Sequence, residues 1–462
     1  MLCDFTFVIN TMDRRDFIRT GAVVGAAAAL PFPVFGEDNG EKARIGFIGV
    51  GLRGRNHLNN LLMRDDVLVP AICDLDPDAL EKAQELIAKV NQPKAAEYSG
   101  DDYAYRELLQ RNDLDGVLIA TPWLWHTRMS VDAMRAGKYA GVEVSAANTL
   151  EECWDLVNTY EQTGVPVMIL ENVCYRRDVM AVLRMVREGL FGELLHARCG
   201  YQHDLRGVKF NDGTTAYGPG VDFGDKGFSE AKWRTYHSLY RNGDVYPTHG
   251  VGPVATMFNI NRGNRFSSLS SNATKAVGLH RYIVNHPAGG PDHPNAALKW
   301  KQGDVITSTI ETTNGETIIV THDCNSPRPY SLGFRVQGSA GLTEFDQHTR
   351  RIYVEGASPE HEWEDMDAYL ERYDHPLWRK YGTYAEGSGH GGMDFFVDHA
   401  FVEIVKRKLD APLDAYDAAA WSAITPLSER SIENNGEPQD FPDFTRGRWM
   451  KRKPRFALGD DF

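Results

Sequence analysis

The chain has 462 residues, more than one ordinary hydrophobic core serves, so we expect it to fold as two domains. Its 42% hydrophobic and 25% charged residues are typical of a globular protein rather than a disordered or fibrous one. The formal net charge of −14 argues against nucleic acid and against an anionic membrane surface as partners.

Residues 1–36 are predicted to be an export signal that is not part of the fold. Arg14 and Arg15 precede an apolar, alanine-rich run at 21–30, a pattern that resembles a twin-arginine signal peptide. The run is too short to span a bilayer as a permanent helix. We therefore expect a periplasmic or otherwise exported protein that engages the twin-arginine export machinery and has no membrane span in its mature form.

Residues 41–175 are predicted to form a first domain in which apolar strands alternate with helices. Such alternation predicts an α/β fold with a doubly wound parallel sheet of the Rossmann type, whose ligands bind beyond the carboxyl ends of the strands. The expected strands are 45–50, 67–73, 116–120, 139–144 and 165–170, and the expected helices are 56–63, 77–90, 128–136 and 150–163.

A glycine-rich turn joins the first strand to the first helix. Gly49, Gly51 and Gly54 form G-x-G-x-x-G, in which the first glycine permits a tight turn, the second lets a pyrophosphate approach, and the third lets helix and strand pack closely. Asp74 ends the next apolar run, where a carboxylate holds the ribose hydroxyls of NAD. The alternatives are a solvated strand end and a calcium loop, but Ala79 stands where such a loop needs glycine. Strand, turn, helix and acid together predict NAD binding.

Residues 176–462 are predicted to form a second, α+β domain with a mostly antiparallel sheet. Two loop-rich insertions, 211–227 and 285–303, are expected to shape the rim of a pocket. Helices at 393–406 and 414–432 are expected to cover either the first domain's edge or the new sheet. We also expect a homo-oligomer formed through this sheet. The expected strands, rich in β-branched residues, are 194–203, 266–274, 304–313, 316–323 and 333–338.

The cysteines beyond the signal peptide are widely spaced and contain no C-x-x-C pair. They are therefore predicted to be small buried hydrophobic residues rather than disulfides or metal ligands, and no metal site is predicted. These residues are Cys73, Cys153, Cys174, Cys199 and Cys324.

A dense cluster of polar and aromatic residues in the second domain ends in Tyr246 and His249. Histidine is the side chain whose ordinary pKa lies nearest neutrality, so His249 is the natural group for proton transfer. The alternative is a structural histidine that caps a helix. Tyr201 and His203 end a strand, where they either face the same cleft or form a pair of surface aromatics.

Arg234 belongs to the same cluster and has two readings. It either binds a sugar or a carboxylate, or forms a salt bridge with Glu230. The common hydrolase signatures G-x-S-x-G and H-E-x-x-H do not occur in the sequence, and neither does a Walker loop.

Seven short motifs spread over nearly the whole chain carry a resemblance to a known family. They are Gly-Leu-Arg-Gly-Arg at 51–55, Thr-Pro-Trp-Leu-Trp-His at 121–126, Glu-Asn-Val-Cys-Tyr-Arg-Arg-Asp at 171–178, Tyr-Gln-His-Asp at 201–204, Trp-Arg-Thr at 233–235, Tyr-Pro-Thr-His-Gly at 246–250 and Asn-Ser-Pro-Arg-Pro-Tyr at 325–330. The chain resembles the Gfo/Idh/MocA oxidoreductases and, among them, the NAD-dependent α-N-acetylgalactosaminidases of glycoside hydrolase family 109.

The resemblance implies an NAD-dependent glycosidase that removes terminal α-linked N-acetylgalactosamine or a related hexosamine. In the implied mechanism, hydride leaves C3 of the sugar, a proton leaves C2, the aglycone is expelled from C1, water adds, and the hydride returns. His249 with Tyr246 is expected at the C3 hydroxyl, and Tyr201 or His203 near C2. The implied NAD contacts are Leu52, Arg53, Asp74, Trp123, His126, Glu143, Val144 and Asn172. The expected contacts to the sugar are Tyr201, Arg234, Tyr246, His249 and Tyr330, together with Glu171.

One position departs from the superfamily's dehydrogenases, which carry Glu-Lys-Pro where this chain has Glu143-Val144-Ser145. Because that lysine assists hydride transfer, its absence disfavours a plain dehydrogenase. The sequence at this position is instead similar to that of the glycosidase family. The alternatives are an exported sugar oxidoreductase with net redox turnover and a non-catalytic sugar-binding protein that kept the fold. Several hexosamines and both anomeric linkages are compatible with the sequence.

Overall fold

A computed structural model describes residues 42–346 and 349–462. The predicted signal peptide, residues 1–36, lies outside these ranges. Within them, no helix is both long enough and apolar enough to cross a bilayer. The five cysteines after the signal peptide are all buried and unbridged, as predicted.

The strands of the first half form one parallel sheet. They are β1 (Ala43–Ile48), β2 (Val67–Leu68), β3 (Ala71–Cys73), β4 (Ala96–Tyr98), β5 (Gly116–Ile119), β6 (Tyr139–Val142) and β7 (Val167–Ile169). Their order is β4-β3-β1-β5-β6-β7, with β2 paired to the start of β1. The order reverses at β1, and ligands of such sheets bind in the crevice beyond the strand ends at that point. The predicted Rossmann-type sheet is therefore confirmed.

The helices of the first half agree with the sequence pattern except at the glycine turn and at Tyr105–Leu109, a short helix that the sequence analysis did not predict. The helix predicted to begin at residue 56 begins at Leu52, directly after Gly51. Gly54, which reads as a loop residue, lies inside this helix because its missing Cβ permits a close approach to β1. The helices are Leu52–Leu62, Pro77–Lys89, Tyr105–Leu109, His126–Arg135 and Leu150–Thr163, with short 3₁₀ turns at Trp123–Trp125 and Asn172–Tyr175.

The second half contains a nine-stranded, mostly antiparallel sheet. Its strands are β8 (Leu194–Gln202), β9 (Phe266–Ala273), β10 (Val305–Thr312), β11 (Thr317–Asp323), β12 (Phe334–Gly338), β13 (Gly341–Phe345), β14 (Arg350–Val354), β15 (Glu364–Asp365) and β16 (Gln439–Asp440). Their order is β15-β14-β13-β12-β8-β11-β10-β9-β16, and only β8 and β11 run parallel within the described ranges. The predicted α+β class is confirmed. The sequence prediction missed β13 to β16, which are short and alternate in burial.

Helices of the second half close over both sheets. Met393–Arg407 packs on the helix Leu52–Leu62, whereas Ile424–Glu433 packs on β9, so both predicted placements occur. The helix predicted at 414–432 is two helices, Ala415–Ser422 and Ile424–Glu433. The remaining helices are Arg177–Arg187, Arg206–Lys209, Arg234–Tyr240, Thr248–Met257, Gly278–Asn285, Asp367–Arg372 and Pro376–Ala385. Further 3₁₀ turns are Gly224–Lys226, Ser229–Lys232, Pro294–Ala297, His390–Gly392 and Arg448–Met450.

Candidate active site

A single large cavity of about 3690 Å³ runs from the strand ends of the parallel sheet to the second sheet. It brings together most of the residues that the sequence predicts for the site. Gly54 and Glu171 are the exceptions and lie behind this lining. The predicted residues that line the cavity are Gly49, Gly51, Leu52, Arg53, Asp74, Trp123, His126, Glu143, Val144, Asn172, Tyr201, His203, Arg234, Tyr246, His249 and Tyr330.

The glycine turn has the shape that a dinucleotide requires. Gly49 has φ +88°, and a Cβ there would lie 2.7 Å from the Ala120 carbonyl oxygen. A Cβ on Gly54 would lie 2.0 Å from the Gly49 carbonyl oxygen, so helix and strand pack without room for a side chain. A Cβ on Gly51 would meet nothing within 4 Å. The open space beside Gly51 faces the cavity at a helix N-terminus, the usual position of a pyrophosphate.

Asp74 lies where the ribose of the dinucleotide is expected. One carboxylate oxygen accepts a hydrogen bond from the Val50 backbone N–H at 2.8 Å, and the other from Asp76 N–H at 3.0 Å. These bonds fix the carboxylate at the end of β3, at the cavity wall. No group of three or more His, Cys, Asp or Glu in the described ranges is arranged to hold a metal ion.

A buried network of charged residues lies next to the part of the cavity that is lined by the first half of the chain and is expected to hold NAD, here called the cofactor half. The Arg53 Nε lies 2.5 Å from Glu143 Oε1, and its Nη1 lies 2.7 Å from Asp394 Oδ2. His57 is fully buried, with Nε2 2.7 Å from Glu143 Oε1 and Nδ1 2.6 Å from Asp398 Oδ1. Because a carboxylate oxygen can only accept, both ring nitrogens of His57 carry protons. Burial and Arg53 lower the pKa of His57, but the two carboxylates outweigh them and raise it to about 9.

Asn172 presents an unused acceptor inside the cofactor half. Its side-chain Nδ2 donates to Asp394 Oδ1 at 2.6 Å, while its buried Oδ1 has no hydrogen-bond partner. An amide donor of the kind that a nicotinamide carries would satisfy that oxygen, so these residues fit NAD. His126, in contrast to Asn172, has a partner for each of its polar side-chain atoms, since its ring nitrogens lie 2.7 and 2.8 Å from the carbonyl oxygens of Thr121 and Ser145. His126 thus joins the loops that follow β5 and β6.

Rings of the second half line the opposite wall of the cavity. The His249 ring stands edge-on to Tyr201 and Tyr246, with centroids 5.1 and 4.8 Å away. The Tyr201 hydroxyl lies 3.2 Å from His203 Nδ1, and the His203 ring lies 5.4 Å from that of Tyr330. Burial raises the pKa of Tyr201 and lowers that of His203 to about 4, so His203 is a neutral imidazole at ordinary pH. Tyr201 and His203 therefore face the cleft and are not surface aromatics.

His249 is held by a carboxylate from the first half. Glu171 follows β7 and is fully buried, and its Oε1 and Oε2 lie 2.7 and 3.0 Å from His249 Nδ1. Glu171 also accepts a hydrogen bond from the Val173 backbone N–H at 3.1 Å. Because Nδ1–H donates to Glu171, His249 Nε2 is left as the acceptor. The structure thus places Glu171 behind His249 rather than on the cavity wall where a sugar contact was expected.

Arg234 forms the predicted salt bridge and also lines the cavity. It forms a short ion pair with Glu230, one turn earlier. Its guanidinium also lies over the rings of Trp123 and Tyr246, 4.9 and 5.0 Å from their centroids. Arg234 therefore lines the cavity at the junction of the two halves, with its donors held in place by Glu230.

Sequence reasoning missed a further imidazole in the cavity, His390. It lies in the glycine-rich loop 387–392, in which Gly387, Gly389 and Gly391 all have positive φ. Its Nδ1 lies 2.7 Å from Asp394 Oδ2, and the ring is partly exposed to the cavity. The only local signal is the pattern Gly-Ser-Gly-His-Gly-Gly before a helix, which reads equally well as a simple linker.

Fold and site together define a class of protein. A dinucleotide-binding parallel sheet that opens onto a second sheet carrying a carboxylate-held histidine is typical of nicotinamide-dependent enzymes for small polar substrates. The description "Oxidoreductase family, NAD-binding Rossmann fold" matches residues 43–171, and "Glycosyl hydrolase 109, C-terminal domain" matches residues 175–451. The chain belongs to glycosyl hydrolase family 109.

Individual relatives agree with this assignment. The chain is 52% identical over 452 residues to a glycosyl hydrolase family 109 protein of Stenotrophomonas maltophilia (strain K279a), covering 97% of this chain and 98% of the relative. It is 54% identical over 419 residues to an α-N-acetylgalactosaminidase of Tannerella forsythia, covering 90% and 89%. A levoglucosan dehydrogenase solved with NADH has a TM-score of 0.62 at 16% identity, covering 87% of this chain and all of that one, which is a likeness of fold.

These matches confirm the predicted family, the NAD cofactor and the assignment as an NAD-dependent glycosidase. A twin-arginine signal sequence matches residues 11–31, which lie outside the described structure. The predicted export through the twin-arginine route is thereby confirmed as well.

Proposed function

We propose that this enzyme hydrolyses terminal α-linked N-acetylgalactosamine, or a related hexosamine. The single observation that carries the proposal is the Glu171–His249 pair, whose histidine lines the same cavity as the open glycine turn. A proton-transfer group and a dinucleotide site in one cavity suit oxidation of a sugar hydroxyl. The name of the Tannerella forsythia relative supports the choice of sugar.

The residues of the first half would hold NAD. When bound, NAD supplies a reversible acceptor for the hydride at C3 of the sugar. The glycine turn offers backbone N–H groups to the pyrophosphate, Asp74 offers its carboxylate to a ribose, and Asn172 offers its free amide oxygen. The full set proposed to hold NAD is Gly49, Gly51, Leu52, Arg53, Gly54, Asp74, Trp123, His126, Glu143, Val144 and Asn172.

His249 would move the proton of the C3 hydroxyl. Since Glu171 holds its Nδ1–H, Nε2 can accept that proton and later return it, while Glu171 stabilises the imidazolium that forms. The Tyr246 hydroxyl is protonated, because burial raises its pKa well above the ordinary value. Tyr246 would therefore donate a hydrogen bond to the same oxygen.

We assign two further imidazoles to the C2 proton and the leaving group. The ketone at C3 makes the C2 hydrogen acidic, and the neutral His203, or Tyr201 acting with it, would remove that hydrogen. His390, with Nδ1 on Asp394, would as the imidazolium give its Nε2 proton to the leaving oxygen, and as the resulting neutral imidazole would take a proton from the water that adds at C1. We assign Arg234 and Tyr330 to binding the sugar and Glu171 to positioning His249.

Two structural expectations also remain proposals. We place the boundary between a first domain (41–175) and a second domain (176–462) at the end of the turn Asn172–Tyr175. We further propose a homo-oligomer through the second sheet, because burial alternates along β10 and leaves one face of that strand towards solvent. Light scattering of the mature protein would test the oligomer, and a monomeric mass would refute it.

Hydrolysis in D₂O tests the proposed reaction. The mature enzyme is given a panel of α- and β-linked aryl glycosides, and aglycone release, NADH absorbance and C2 of the product (by NMR) are followed together. We expect α-N-acetylgalactosaminide hydrolysis on bound NAD, no accumulating NADH, and deuterium at C2. Hydrolysis without label at C2 would refute the redox mechanism, and accumulating NADH would indicate a net oxidoreductase. His249→Ala should lower the rate by about 10²–10⁴-fold.

A further inference from the structure

The two insertions of the second half form a lobe with its own hydrophobic core. This lobe is built from the segments 211–227 and 285–303 and the helix Gly278–Asn285 that precedes the second segment. Its core is separate from the main core of the protein, so the lobe is a packed unit rather than a pair of loose loops. The core residues are Phe210, Val221, Leu239, Leu279, Ile283, Ala296 and Trp300.

Hydrogen bonds fix the first insertion in one conformation. The Asn211 side chain donates to the Phe228 carbonyl at 2.8 Å and accepts from the backbone N–H groups of Gly213 and Phe228, both at 3.0 Å. Asp212 Oδ1 accepts from the backbone N–H groups of Thr214 and Thr215 at 2.8 and 2.9 Å. The loop is therefore ordered before any ligand binds, which lowers the entropic cost of recognition.

This loop presents Tyr217 to the catalytic cavity. Tyr217 lines the cavity and is 47% exposed, an unusual position for a large aromatic ring on a fixed loop. Partial burial and the Glu230 carboxylate raise the pKa of Tyr217, whereas Arg234 lowers it. Tyr217, Glu230 and Arg234 all line the same cavity, so the ring shares its wall with the proposed sugar site.

The adjoining wall of the cavity also carries an aromatic ring and a charged pair. Asp204, next to the catalytic-site residue His203, is held by the Arg206 Nε and Nη2, both at 2.8 Å. The Arg206 guanidinium lies over the Tyr282 ring, 5.3 Å from its centroid. All of these residues line the cavity. The exposed Tyr217 ring, on a wall that also carries this planar charged pair, is suited to a sugar ring, which has an apolar C–H face and a rim of hydroxyls.

We propose that this lobe is a subsite for the second sugar of an oligosaccharide, on the aglycone side of the scissile bond. The cavity volume of about 3690 Å³ is several times the ~300–1,000 Å³ of a pocket for one small ligand, so it has room beyond NAD and one sugar. Because Asp204 neutralises Arg206, the wall suits a neutral glycan. This inference rests on the proposed glycosidase function and deepens it.

Two substrates with the same terminal sugar test the subsite. We would compare kcat/KM for an aryl monoglycoside and for a neutral trisaccharide, in the wild type and in Tyr217→Ala. We expect the wild type to prefer the trisaccharide. Tyr217→Ala should lose about tenfold on the trisaccharide and less than about twofold on the aryl glycoside. Tyr217→Phe keeps the ring and should retain the preference. Tyr240→Ala, at a tyrosine 65% exposed and outside the described cavity lining, is the matched control.

Other outcomes overturn the subsite. Equal losses of kcat/KM on both substrates in Tyr217→Ala would show that Tyr217 contacts the terminal sugar. No loss on either substrate would show that Tyr217 does not take part in substrate recognition. Preference for an α-linked glycopeptide over the trisaccharide would identify a peptide site instead. Calorimetric titration with the disaccharide that remains after hydrolysis gives a second readout. If no glycoside is cleaved, the proposed function fails, and the titration still decides the subsite, since absent binding refutes it.

Discussion

His57 offers a test of the charge network that supports the cofactor half. The residue is fully buried, and both ring nitrogens face carboxylates, those of Glu143 and Asp398. We consider the variant His57→Gln, which keeps a hydrogen-bond donor of similar reach but cannot carry a charge. Its effect on stability depends on pH, because the wild-type imidazole titrates and the amide does not.

The magnitude follows from the pKa of about 9 for His57 in the folded protein. The ordinary value is about 6.5, and each unit of difference corresponds to about 1.36 kcal/mol. Since the folded pKa is raised, protonation of His57 stabilises the fold by about 3 kcal/mol below pH ~6.5, and this contribution is lost as the pH rises through about 9. The gap in unfolding free energy between wild type and variant should therefore shrink by about 3 kcal/mol between pH 6 and pH 10.

Urea unfolding of the NAD-free mature protein, followed by tryptophan fluorescence across this pH range, measures the gap. His399→Gln is a matched control on the helix Met393–Arg407. Burial and Arg64 lower the pKa of His399 to about 3, so it is neutral in the folded protein throughout the range. Its gap should stay flat above pH ~7.5. A His57→Gln gap that is equally flat would show that His57 is uncharged and that our reading of the network is wrong.

Four further substitutions test the glycine turn, the cofactor site and the proton-transfer pair. Gly51→Ala should leave thermal stability unchanged but lower NAD retention, because a Cβ there meets nothing within 4 Å in the protein yet occupies the space for the pyrophosphate. Gly54→Ala should instead lower the unfolding free energy by about 1–3 kcal/mol, because its Cβ would lie 2.0 Å from a backbone carbonyl oxygen. Asp74→Ala should weaken NAD binding and reduce discrimination against NADP in calorimetric titrations. Glu171→Gln should lower kcat by about 10²–10³-fold with little change in KM in steady-state kinetics, because the charged partner of His249 is lost.

Clear results would contradict each of these. Equal melting temperatures for the two glycine variants would refute the packing argument. A native preference for NADP would remove the role of Asp74. Unchanged kcat in Glu171→Gln would mean that His249 needs no charged partner or does not transfer the proton.

The sequence alone determined the features whose signals are local. The dinucleotide site is one continuous stretch in which strand, glycine turn and helix follow each other, and Asp74 ends the next strand. The three glycines serve one tight turn, the approach of the pyrophosphate and the contact between helix and strand, so their spacing within this stretch suffices to predict the site. The alternation of strands and helices likewise sufficed for the parallel sheet, and the run of β-branched segments for the second one.

Tertiary structure decided the partners of these residues. His249 and Glu171 are 78 residues apart in the chain, and Arg53 and Asp394 are 341 apart. Such pairs leave no periodicity or spacing in the sequence. The first forms only when the helix Thr248–Met257 packs against the turn Asn172–Tyr175, and the second only when the helix Met393–Arg407 packs on the glycine-turn helix. The same packing brings His390 into the cavity. Sequence therefore predicts which groups are available for chemistry, whereas the fold decides which carboxylate holds which imidazole and thus which nitrogen is free to react.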